Sequence, residues 1–101
     1  MLTSKQRAYL RSIANGLDTI FHIGKSGVTP EITAAIDDAL EARELLKANI
    51  LDNCLMGTSE TAQIIAERTH SEVVQVIGSR FVLYRQAKKP VIELPKPKKE
   101  L

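Results

Sequence analysis

Residues 19–50, TIFHIGKSGVTPEITAAIDDALEARELLKANI, change backbone period twice, and that change decides the fold. TIFHI (19–23) is short, β-branched and aromatic, as a strand requires. Gly24, Lys25, Ser26 and Gly27 then interrupt it as a loop. Thr29 is placed to cap a helix, with Pro30 at the first helical position, where its missing N–H costs nothing. Ile32, Ala35, Ile36, Ala39 and Leu40 recur at helical spacing, which predicts a helix over 30–44. LLKANIL (45–51) returns to strand chemistry. A helix joining two strands acts as a crossover, so parallel, right-handed neighbours are expected.

The flanks extend this unit in both directions. Upstream, Thr3 and Gln6 have capping-box spacing, and Leu10, Ile13, Ala14 and Leu17 form a stripe, giving a first helix over 4–15 that stops at Gly16. Downstream, DNCLMGT (52–58) reads as a turn, and Ser59 or Thr58 as the cap of a third helix. That helix carries Ala62, Ile65 and Ala66 and ends near Thr69 and His70. VVQVIGSRFVLYR (73–85) reads as two strands around Gly78-Ser79, a glycine-first pair suited to a tight hairpin. The order α-β-α-β-α-β-β predicts an α+β fold, a four-stranded mixed sheet covered by helices. Residues 1–86 make one domain, while 87–101, with prolines and lysines alternating, are expected to trail as a flexible basic tail.

Composition narrows the function. With 44% hydrophobic and 26% charged residues the chain has the make-up of a globular domain, and 4% aromatics leave no broad platform for stacking bases. The single cysteine, Cys54, allows neither an internal disulfide nor a zinc-binding pair, which suits a reducing, cytoplasmic setting. MLTSKQRAYL lacks the apolar run of a secretory signal. Residues 1–85 hold nine Lys/Arg against ten Asp/Glu, and 86–101 hold five lysines against two glutamates. Overall charge is therefore a weak guide to nucleic acid, and its segregation by face is what matters.

A loop leaving a strand and entering a helix offers unpaired backbone N–H groups at a positive dipole end, and glycines let a phosphate come close. Lys25 adds a mobile charge. GKS resembles half of a P-loop, but that motif needs glycine where Thr19 stands. A small NTP hydrolase is thereby disfavoured. The better comparison is the GxxG loop of KH domains, which clamps a sugar-phosphate backbone. The competing reading is that Gly24 and Gly27 only let the chain turn. Lys5, Arg7 and Arg11 crowd the first helix, and Arg80 and Arg85 flank the last strand. If these lie near the loop they form one basic surface, opposite an acidic helix face of Glu31, Asp37, Asp38, Glu41 and Glu44.

LTSKQRAYLRSIA, HIGKSGVTPEITAAIDDALEARELLKANI and VVQVIGSRFVLYR, in this order and at these distances, resemble the CRM domain, named for chloroplast RNA splicing and ribosome maturation, in its stand-alone bacterial form. The likeness covers about residues 2–85 and includes the GxxG as Gly24 to Gly27, with Gly78 and Val82 to Arg85 closing it. DNCLMG (52–57) is not among the stretches that carry it. The resemblance implies a fold similar to the C-terminal domain of bacterial translation initiation factor three. It also implies RNA binding, on ribosomal RNA in precursors of the large subunit, with ribosomal proteins as further partners.

The residues expected to touch RNA are Gly24, Lys25, Ser26, Gly27, Lys5, Arg7, Arg11, Arg80 and Arg85. No catalytic, cofactor-binding or metal-binding set is expected. His22 reads as a strand residue, His70 as a helix end, Cys54 as a small apolar side chain, and the helix carboxylates as solvated. Tyr84 and Tyr9 are open between stacking a base and partial burial, and the tail lysines between solvation and added RNA affinity. A monomer is expected. The alternative function is a protein–protein adaptor docking a basic ribosomal protein on the acidic helix 30–44.

Overall fold

The structure is a computed structural model and describes residues 2–94. Helix α1 spans Ser4–Ala14, with Thr3 Oγ1 accepting the Gln6 N–H at 3.1 Å and Gln6 Oε1 accepting the Thr3 N–H at 3.0 Å, the expected reciprocal cap. Strand β1 (Thr19–Ile23) leads through the glycine loop to α2 (Pro30–Arg43), whose cap is Thr29, accepting the Ile32 N–H at 3.1 Å. Strand β2 (Leu45–Ile50), helix α3 (Thr58–Thr69), β3 (Glu72–Ile77) and β4 (Arg80–Tyr84) follow, in the order expected. The cap of α3 differs from expectation. Gly57 occupies it without a side-chain hydrogen bond, so Thr58 and Ser59 fall inside the first turn.

The sheet order is β1-β2-β4-β3. Strands β1 and β2 are parallel, joined by α2 as a crossover, and β4 pairs antiparallel with both β2 and β3. The α3 crossover thus places β3 parallel to β2 but not beside it. The hairpin turn, with Gly78 at φ +58°, returns β4 into the gap between them.

Alternation along the strands sends side chains to two cores. On one face Ile23, Leu46, Ala48, Phe81 and Leu83 pack with Ile36 and Leu40 of α2 and Ala62, Ile65 and Ala66 of α3. On the other, Leu45, Val74, Val82 and Tyr84 pack with Leu10 and Ala14 of α1. Helix α1 covers only part of its face, which leaves the rest of the sheet open on that side.

Two sequence expectations are corrected at the end of α2. Glu44 was expected on the exposed acidic face; its side chain is fully buried, because the helix ends at Arg43 and Glu44 turns at φ +68°. Residues 87–94 were expected to trail. Instead Glu44 Oε2 accepts the Ala87 N–H at 2.7 Å, and Oε1 accepts those of Val91 and Ile92 at 2.9 and 2.6 Å. Ile92 and Leu94 pack against the α1 core. A buried carboxylate surrounded by donors holds this segment without any regular secondary structure. The tail prolines and lysines from 95 onward lie outside the described residues. Among the described residues no helix is long and apolar enough to cross a membrane.

Candidate nucleic-acid interface

Gly24 to Gly27 form a turn closed by the Gly27 N–H donating to the Gly24 carbonyl at 3.0 Å. Its two glycines have different physical reasons. Gly27 sits at φ +68°, a conformation other residues resist, with nothing near its missing side chain. Gly24 is crowded: a Cβ there would lie 3.2 Å from Asn53 Oδ1 and 3.3 Å from Leu51 Cδ1. The turn reading of the glycines is thus correct as far as it goes, but it leaves Lys25 and Ser26 exposed between them. No ion pair engages Lys25 among the described residues. The turn delivers the chain into the first turn of α2, where the dipole favours an anion. Glu31, also in that turn and exposed, is the one carboxylate that opposes it there.

The sheet register fixes which residues share this end of the molecule. Ile23, immediately before the loop, pairs with Ile50; Asn49 pairs with both His22 and Arg80; and Arg80 pairs with Ile77. The Leu51 N–H donates to the Ile23 carbonyl and the Ile50 N–H to the Ser79 carbonyl, both at 2.8 Å. The glycine loop, residues 51–57 and the Gly78-Ser79 turn therefore rim one end of the sheet, and Arg80 stands there, exposed.

The other cations expected at the site separate from it. Glu72 and Tyr84, paired at the opposite end, mark where Arg7 and Arg85 lie. Arg7 Nη1 donates to the Val73 carbonyl, and Nη2 stands 3.8 Å from Glu72 Oε1. Lys5 is in the same first turns of α1, whereas Arg11 is in the last. Arg85 is occupied: Nη1 donates to Asp37 Oδ1 and to the Thr69 carbonyl at 2.8 Å, and Nη2 to the Asp37 carbonyl at 3.0 Å and to Glu41 Oε1 at 3.4 Å. The guanidinium ties α2 to the end of α3, and Asp37 and Glu41 of the acidic face are its partners. The single basic surface expected from sequence is thus divided between two ends of the fold.

One of the two tyrosine alternatives has an answer. Tyr84 is 5% exposed in the α1 core, too enclosed to stack a base, and its hydroxyl has no hydrogen-bond partner among the described residues. Burial, reinforced by the Glu44 carboxylate, pushes its pKa above the ordinary value. Tyr9 is 40% exposed on α1. Cys54 packs against the larger core as a small apolar side chain. His22 Nδ1 donates to Asn49 Oδ1, which fixes the ring on the open side of the sheet. Among the described residues no cluster of His, Cys, Asp or Glu has metal-binding geometry.

Sequence reasoning passed over Lys47. It is half-buried beside Arg80 on the sheet side that α1 leaves open. The alternation Leu45, Lys47, Asn49 signalled that all three face one way, but only the position of α1 shows which are covered.

A class can now be assigned from fold and loop together. The CRS1 / YhbY (CRM) domain matches residues 2–85, from the cap of α1 to the end of β4, and the chain belongs to that family. Among individual relatives, Probable RNA-binding protein YqeI of Bacillus subtilis is 44% identical over 96 residues, spanning 94% of this chain and all of the relative. A Haemophilus influenzae protein named RNA-binding protein is 32% identical over 99 residues, covering 94% of this chain and 96% of its own. A Staphylococcus aureus protein with a solution structure superimposes with a TM-score of 0.79 at 50% identity, over 94% of this chain and all of that one.

Proposed function

We propose that this chain is a noncatalytic RNA-binding protein acting on ribosomal RNA in large-subunit precursors during ribosome assembly, with its glycine loop holding the phosphate backbone. The observation that carries the reading is the exposed Gly24–Gly27 turn, which presents Lys25 and Ser26 at the amino end of α2. Relatives named as RNA-binding proteins over their full length support it. The ribosomal target rests on the resemblance to the stand-alone bacterial form of the family.

A loop of this size binds by charge and backbone shape more than by reading base edges. Four neutralised phosphates, at a single-strand slope of about −0.7 each, give a log–log salt slope near −3. The test is the K25D/S26D variant. Both side chains are exposed, so melting should stay within a few degrees of wild type, while affinity for large-subunit ribosomal RNA fragments is lost. Unchanged affinity in the folded variant rejects the loop as the contact. Crosslinking in cells followed by sequencing of the attached RNA tests the target, which fails if large-subunit RNA is not enriched.

A further inference from the structure

On the face of the sheet opposite α2 and α3, where α1 ends, lies a depression of about 180 Å³ lined by Asn15, Lys47, Gln75, Ile77, Arg80 and Val82. Its chemistry is unlike that of the surface around α2. Lys47 pairs with Val82 and Arg80 with Asn49, so the two cations are diagonal neighbours on adjacent strands, their backbones about 7–8 Å apart. Neither meets a carboxylate among the described residues. Between them and α1 the wall is apolar, and Ile77 is 61% exposed. Gln75 and Asn15 add amide groups that can both donate and accept.

Unpaired like charges side by side on a sheet weaken the free protein slightly and strengthen the attraction for an anion. The volume is below the roughly 300–1,000 Å³ of enclosed small-molecule sites, enough for one planar ring but not a whole nucleotide. A cation pair beside a ring-sized apolar slot with amides at its edge fits one base and its attached phosphate. The register places this slot at the loop end of the sheet. Strand β4 is two strand spacings, about 10 Å, from β1 and the glycine loop, a distance that a few nucleotides of single strand cross.

We propose that this depression is a second RNA subsite, which takes one base with its phosphate from the single strand held at Gly24–Gly27, Lys47 and Arg80 meeting the phosphate and Gln75 and Asn15 the base edge. The proposal rests on the reading of the chain as an RNA binder, and adds Lys47, Gln75 and Asn15 to its contacts.

The experiment compares wild type, K47Q/R80Q and K25D/S26D for binding a short oligouridylate across a salt series, with melting curves as a control. Two contacts removed should lower the log–log salt slope by about 1.4 and weaken binding about 25-fold at 0.1 M salt. The melting temperature of K47Q/R80Q should equal or exceed that of wild type, because a repulsion has gone. On titration with oligouridylate, the NMR signals of the Gln75 and Asn15 side-chain amides should shift in wild type. If K47Q/R80Q binds with wild-type affinity and slope, or if those amides stay still at saturation, the subsite is refuted, and a loss confined to K25D/S26D then leaves the loop reading intact. If K47Q/R80Q weakens while K25D/S26D binds normally, the subsite stands and the loop is rejected as a contact.

Discussion

The carboxylate of Glu44 accepts the backbone N–H of Ile92 at 2.6 Å, across 48 positions of sequence. The same side chain takes the Ala87 and Val91 amides, and the Glu44 carbonyl accepts the Arg85 N–H at 2.9 Å. One residue therefore ends a helix, turns into β2 and fastens the segment after β4.

Replacing Glu44 by Gln removes the charge and turns one acceptor into a donor facing backbone N–H groups. Hydrogen bonds to a charged group contribute about 1.5–3 kcal/mol each, but the freed segment can regain water. The expected loss is about 2–4 kcal/mol, a fall in Tm on the order of 10–20 °C. Hydrogen exchange at Ala87, Val91 and Ile92 should rise far more than at the β2 amides. Equal protection of those three amides in the variant contradicts the assignment.

Arg85→Ala should destabilise the fold by about 1–3 kcal/mol, since it removes the donor to α3's last carbonyl, on Thr69, and the charge that Asp37 and Glu41 pair with. Arg85→Lys should restore little, because a single ammonium cannot span acceptors on two helices. RNA affinity of the folded variants should be unchanged. A thermal melt and a binding titration on the same samples separate the two effects, and a selective loss of affinity would return Arg85 to the interface.

The two loop glycines should respond differently to alanine. Gly27→Ala forces a side chain into φ +68° and should cost about 1 kcal/mol. Gly24→Ala meets only the ends of Asn53 and Leu51, both exposed and free to shift, so its cost should stay within about 0.5 kcal/mol. Its methyl nevertheless narrows the approach to the turn, so RNA affinity should fall more in Gly24→Ala than stability does. Urea denaturation and an RNA titration of both variants decide this.

Tyr84 sets a limit at alkaline pH. Its native pKa is raised by burial and by Glu44, so the unfolded chain loses the phenolic proton first, near pH 10. Stability is complete below that pH and declines as pH rises above it. Tyr84→Phe should abolish this part of the decline. At neutral pH it should be neutral or slightly stabilising, because the buried hydroxyl has no partner among the described residues to lose. Denaturation of both proteins at pH 8 and pH 11 provides the comparison.

The path from Thr19 to Ile50 was legible because its signals are local: β-branched TIFHI, the Thr29-Pro30 start, and the stripe ending at Leu40. Strand order was less so. Nothing local in VVQVIGSRFVLYR shows that β4 rather than β3 lies beside β2; that depends on where the α3 crossover lands. Glu44 was misplaced for a related reason. It follows Asp37 and Glu41 at helical spacing, but the helix stops one residue short and a left-handed turn redirects the side chain. Arg85 and Lys47 show the same limit for the site. A cation's availability depends on which carboxylates and helices the tertiary fold brings to it, and Arg85 meets partners 44 and 48 positions away.

Leu2 and Leu94 both pack against the core beneath α1. The two ends of the described residues therefore share the flank of the sheet that α1 covers. A fluorophore attached at position 2 or 94 should report on that flank rather than on the glycine turn.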